Sequence, residues 1–126
     1  MISHYDVVGI DDYGENSKIA FDVDKITNYF KENSTIDEEG EWLFGRGTMD
    51  MKAGLVVELG LIEKASLGEF DGSLLLIAVG DEEVGSKGMM NATKEIERIK
   101  NEHDLSIVLC LNTEPSFKEH PFDTNK

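Results

Sequence analysis

Gly72-Ser73-Leu74-Leu75-Leu76-Ile77-Ala78-Val79-Gly80-Asp81-Glu82-Glu83 sets an almost unbroken apolar run between two glycines and follows it with three adjacent acids. An apolar run without alternation, bounded by turn formers, predicts a strand buried on both faces, as in a parallel sheet covered by helices. A second run, residues 105–111, ends in the loop Asn112-Thr113-Glu114-Pro115, and residues 2–8 read as a short strand that breaks into the polar segment 9–16. Between the strands the apolar spacing turns helical. Ile26, Tyr29 and Phe30 recur at i, i+3, i+4 in a short helix over 24–32, and Leu55, Leu59, Ile62 and Ala65 share a face of a longer one over 51–67. Ser86 is placed to cap a third helix running to about Glu102. The order strand, helix, strand, helix, strand predicts an α/β fold. Its expected form is a three-layer α/β/α arrangement with residues 2–6, 74–79 and 105–111 in one mainly parallel sheet and the helices from Met51 and Ser86 packed on it.

Working outward, 126 residues with 40% hydrophobic content amount to one domain, with no repeat, linker or low-complexity tract. Twenty-six acids against 12 basic side chains leave a net charge of -14, much of it in the acid-rich segment 11–41. Such a charge repels nucleic acid phosphates and anionic lipid surfaces. No stretch reaches the ~20 apolar residues that cross a bilayer, and Met1-Ile2-Ser3-His4 opens no secretory signal. The lone Cys110 has no disulfide partner and, inside an apolar run, reads as a buried hydrophobe. A cytoplasmic protein that binds neither nucleic acid nor membrane is expected.

In open α/β sheets ligands gather outside the carboxyl ends of the strands. The residues just past those ends are His4-Tyr5-Asp6, Asp81-Glu82-Glu83 and Glu114, and the glycine-bracketed turn Gly45-Arg46-Gly47-Thr48-Met49-Asp50 brings Asp50 to the start of the long helix. Each has an ordinary explanation: a polar histidine, an acidic turn before a helix, a Glu-Pro turn, a helix N-cap. Three adjacent acids nevertheless repel unless something positive lies among them. A metal-bound histidine is commonly held through its second ring nitrogen, and Asp6 stands two residues from His4 to do so. Hard oxygen ligands and one imidazole around a crevice make zinc or a similar divalent ion the natural occupant. Arg46, Lys52 and Lys87 read as surface charge, and Met89-Met90 as core or helix surface.

These motifs, in this order, resemble the zinc metallopeptidase family that includes succinyl-diaminopimelate desuccinylase, acetylornithine deacetylase, aminoacylase, peptidase T and glutamate carboxypeptidase. Residues 3–8, 43–54, 81–86 and 112–115 are similar to its four successive metal motifs, and the segments 41–50 and 62–79 are most similar to its bacterial arginine-utilisation branch. The resemblance implies two zinc ions, with cobalt or manganese as substitutes: His4 and Glu114 on one, Glu83 on the other, and Asp50 bridging both. It implies Asp6 as the group orienting His4, Glu82 as the general base, and a cis peptide after Asp50. The implied substrate is a peptide or an N-acyl amino acid, and the implied parent enzyme a homodimer.

The family's lid and dimerisation domain and its last histidine ligand have no counterpart in this sequence, whose other histidines, His103 and His120, stand in no matching motif. Residues 1–126 are therefore expected to form a partial catalytic domain without the lid. Two readings stay open: part of a dinuclear zinc amidohydrolase, or a catalytically inactive fragment that keeps the fold and at most weak metal binding. A third, an acidic interaction module, rests on the charge alone and leaves the ordered motifs unexplained.

Overall fold

The computed structural model describes residues 1–33 and 42–115; the acidic stretch 37–41 and His120 lie outside them. Two short strands, β1 (Ile2–His4) and β2 (Ile77–Val79), pair in parallel with Ile2 opposite Ile77 and His4 opposite Val79. The Tyr5 amide continues the ladder to the Val79 carbonyl at 3.0 Å, and the Met1 ammonium group donates to the Leu75 carbonyl at 2.6 Å. On the other side of β1 the Ile2 amide donates to the Leu111 carbonyl at 2.9 Å, and Ile2 forms a parallel bridge with Asn112. Two of the apolar segments thus pair in parallel, the third meets β1 in the same sense only at its end, and helices with a small parallel sheet make an α/β fold.

The strands are shorter than expected, and residues 105–111 form none. With Ile2 beside Ile77 and Asn112, the registers leave 74–75 and 105–110 alongside no residue of β1. Further along, the ladder toward 113–114 stops because the His4 amide is bonded to the Met51 sulfur at 3.1 Å. The expected two-faced burial also fails: Val108 is 93% exposed, Leu109 and Ile107 stand open, and Cys110, read as buried, is exposed.

The helices are α1 (Val23–Asn33), α2 (Gly54–Ser66) and α3 (Lys87–Glu102), and residues Asp11–Ile19, expected as loop, coil into 3-10 turns. Asp22 caps α1 by accepting from the Lys25 amide at 3.2 Å. Ile26 of α1 is fully buried, and the Thr27 hydroxyl anchors the Phe44 backbone, accepting from its amide at 2.8 Å. In α2 the expected face is rotated. Leu59 is 51% exposed, whereas Glu58 is fully buried, because that side of the helix meets β1. Asp81, not Ser86, caps α3: its carboxylate accepts from the Lys87 amide at 3.2 Å, while the Ser86 hydroxyl turns back to the Glu82 carbonyl. Gly88 then lets α3 press on β2, since a Cβ there would lie 2.1 Å from the Gly80 carbonyl oxygen.

The core is small. Ala20 and Ile26 are buried beside the turn at Gly45, and Met51 and Val79 are buried together with Ser3, His4 and Glu58 where β1 meets α2. Among the described residues no helix is long and apolar enough to cross a membrane.

Candidate metal centre

His4 ends β1 and is 1% exposed. Its Nδ1 lies 3.1 Å from the Asp6 carbonyl oxygen and 3.3 Å from Asp6 Oδ1. With that nitrogen engaged by acceptors, the proton belongs on Nδ1 and the Nε2 lone pair faces the cleft. Asp6 is held in turn by the Glu83 amide, which donates to its Oδ2 at 3.2 Å. Burial works to raise the Asp6 pKa, but the amides of Glu83, Glu82 and Asp6 itself and the charge of His4 outweigh it and hold the carboxyl below its ordinary value.

Around His4 Nε2 stand three carboxylates from three other segments: Asp50 Oδ1 at 3.2 Å, Glu114 Oε1 at 3.5 Å and Glu82 Oε2 at 3.9 Å. Asp50 comes from the turn Thr48–Ala53 that leads into α2, and the Asp50-Met51 peptide is cis. Just before that turn Gly47 adopts φ 80°, and a Cβ there would lie 2.5 Å from Val7. Glu82 and Glu83 are presented by a second tight turn. Asp81 takes a left-handed φ of 69°, and its carbonyl accepts from the Gly85 and Ser86 amides at 3.1 and 2.6 Å. The three acids after the strand therefore divide their tasks: Asp81 builds the turn, and Glu82 and Glu83 face His4.

Electrostatics in the cluster are strained in one direction. Burial lowers the His4 pKa, but the close Glu114 carboxylate and the charge of Glu82 more than reverse this, so it lies above the ordinary imidazole value. Glu114 is pushed up, first by burial and then by Asp50, against the opposing pull of His4. Acceptors outnumber donors: His4 Nε2, Asp50 Oδ1 and Glu83 Oε1 are buried with no hydrogen-bond partner among the described residues. A divalent cation fits this set on charge and on geometry. Ligand atoms ~2.1 Å from a tetrahedral ion lie roughly 3.4 Å apart, and the distances from His4 Nε2 to Asp50 and Glu114 bracket that value. Glu82 stands farther off. Ligand atoms of His4, Asp50 and Glu114 lie within 4.8 Å of one another, and so do those of His4, Glu82 and Glu83.

All six residues singled out from the sequence thus come together around His4, and His4, Glu82 and Glu114 line a cleft of about 200 Å³ with Met51, Ser86 and Met89. Met89, read as core or surface, is a cleft wall. Arg46 makes no ion pair with the cluster: its guanidinium pairs with the Asp12 carboxylate and lies 5.1 Å above the Tyr13 ring. Sequence reasoning missed Glu58, buried behind the site, for which an acid one helical turn after Gly54 was the only available signal.

A His-carboxylate cluster gathered past parallel strand ends offers the donors that could hold a divalent ion. The chain belongs to peptidase family M20/M25/M40, whose model matches residues 1–124. It is 44% identical to the uncharacterized protein YqjN of Bacillus subtilis over 98% of this chain and 24% of that protein. It is 36% identical to protein RocB of the same organism over 89% of this chain and 21% of RocB. Succinyl-diaminopimelate desuccinylase of Ehrlichia ruminantium is 30% identical over 70% of this chain and 22% of that enzyme. The chain spans about a quarter of the length of these relatives. No solved structure matches it.

Proposed function

We propose that this chain carries most of a dinuclear zinc centre of an amidohydrolase that cleaves a peptide or an N-acyl amino acid. The supporting observation is the donor-poor cluster in which His4 Nε2, Asp50 Oδ1 and Glu83 Oε1 are buried without hydrogen-bond partners. His4, Asp50 and Glu114 would hold one ion and Glu83 the other, with Asp50 shared. Zinc held there supplies Lewis acidity, polarising the scissile carbonyl and making water a competent nucleophile near neutral pH. Asp6 keeps His4 in the tautomer that leaves Nε2 free. Glu82, farther from His4 than the other two carboxylates, takes the proton from the attacking water and delivers it to the departing amine nitrogen.

The three-layer arrangement, a cytoplasmic location and a homodimeric parent belong to the same proposal. The desuccinylase relative supports an N-acyl amino acid as substrate, and the similarity of segments 41–50 and 62–79 to the arginine-utilisation branch supports a role in amino acid catabolism.

A second reading, that the chain alone does not turn over, is favoured by the donors of the second ion. Beyond the shared Asp50, Glu83 is its only assigned ligand, and His103, at the end of α3, belongs to neither ligand group. The test is metal uptake and hydrolysis measured together. Zn2+ and Co2+ titrations are expected to give one tight and one weak equivalent, with no turnover of N-acyl amino acids or dipeptides. Absence of any tight equivalent overturns the metal centre, and turnover abolished by Glu82→Gln overturns the second reading.

A further inference from the structure

Glu58 is the unexpected group. It lies in the second turn of α2, is 0% exposed, and none of the ion pairs among the described residues includes it. Burying a carboxyl group away from any cation is unfavourable unless both oxygens find donors. Here each oxygen takes one hydroxyl: Oε2 accepts from Ser3 Oγ, and Oε1 accepts from Thr113 Oγ1 at 3.2 Å. Ser3 and Thr113 immediately precede His4 and Glu114, so one side chain grips the two segments that carry those ligands.

The sheet does not do this work. Between β1 and residues 111–112 the backbone makes the Ile2–Leu111 hydrogen bond, and the His4 amide, where a ladder would continue, is spent on the Met51 sulfur. Past that point backbone pairing leaves the spacing of His4 and Glu114 unset. Gly54, one turn before Glu58, brings the helix close enough to act: a Cβ there would lie 2.3 Å from Thr113 Oγ1 and 2.4 Å from the Thr113 carbonyl oxygen.

We propose that Glu58 is a positioning residue that, through Ser3 and Thr113, sets the separation of His4 and Glu114 and so the affinity of the site for a divalent metal ion. The inference rests on the metal-centre reading above. An apolar residue of similar volume would fill the space but leave the buried Ser3 hydroxyl and the half-buried Thr113 hydroxyl without their acceptor and the two ligand segments untied.

The experiment is Co2+ titration of the protein and its Glu58→Met, Glu58→Gln and Thr113→Val variants, followed by chelator competition and by the visible absorption of bound Co2+. Circular dichroism reports whether each fold is intact. Glu58→Met is expected to weaken Co2+ binding by about tenfold to a hundredfold, the range for partners that orient metal ligands from behind, and to change the absorption bands, which report ligand geometry. Glu58→Gln, whose amide can still accept from one hydroxyl and donate to the other, should lose less. Adding Thr113→Val to Glu58→Met should cost little more, because the shared link is already broken. Wild-type affinity and spectrum in Glu58→Met overturn the proposal; if that variant does not fold, wild-type behaviour of both Glu58→Gln and Thr113→Val does so. A wild-type protein that takes up no Co2+ overturns the metal-centre reading itself, and this role with it.

Discussion

Adjacent carboxylates at one turn need not do the same work. Glu83 has a buried oxygen without a hydrogen-bond partner among the described residues, whereas Glu82 stands 3.9 Å from His4 Nε2, farther than Asp50 or Glu114. Glu82→Gln in an active parent enzyme is therefore expected to lower turnover by about a hundredfold to ten-thousandfold, the usual contribution of a general base, with metal content unchanged. Glu83→Gln is expected to lower metal content first. Elemental analysis paired with kinetics checks both, and equal metal loss in the two variants refutes the division. These residues were legible because acids directly after apolar runs stand out. Glu58 was not, since an acid on a helix is normally solvated and only the approach of Ser3 and Thr113 reveals otherwise.

Among the elements, the helices were read more closely than the strands. Periodicity found α1 and α2, and the start signal at Ser86 found α3, to within a few residues, but the buried face of α2 depended on what it packs against and came out rotated toward Glu58. Strand lengths depended on registers that no local pattern contains. Contacts between elements carry the sharpest stability prediction. Gly88→Ala places a methyl group 2.1 Å from the Gly80 carbonyl oxygen, so α3 must move off β2. Overpacking of this kind costs about 1–3 kcal/mol, and chemical denaturation is expected to show it. Because Asp81, which caps α3, also builds the turn carrying Glu82 and Glu83, metal affinity should fall in the same variant. Unchanged stability refutes the contact.

At the scale of the whole molecule, four segments far apart in sequence deliver the site, so an ion bound there favours only the folded chain. Zn2+ at a hundredfold excess over its Kd is expected to add about 2.7 kcal/mol of stability, and thermal melts with and without chelator check it. A melting temperature indifferent to Zn2+ argues against the centre. The segment 105–111 is open, with Val108 93% exposed and its backbone meeting β1 only at the Leu111 carbonyl. A short apolar stretch free of charge and proline is a template for strand pairing between molecules. The net charge of -14 opposes such pairing, and that repulsion reaches only about 10 Å in 0.1 M salt. Colloidal behaviour should therefore follow ionic strength: light scattering is expected to rise as salt is added at neutral pH, and Val108→Lys to suppress the rise. Acidity here acts as a solubility device, holding an adhesive edge out of reach of its own copies.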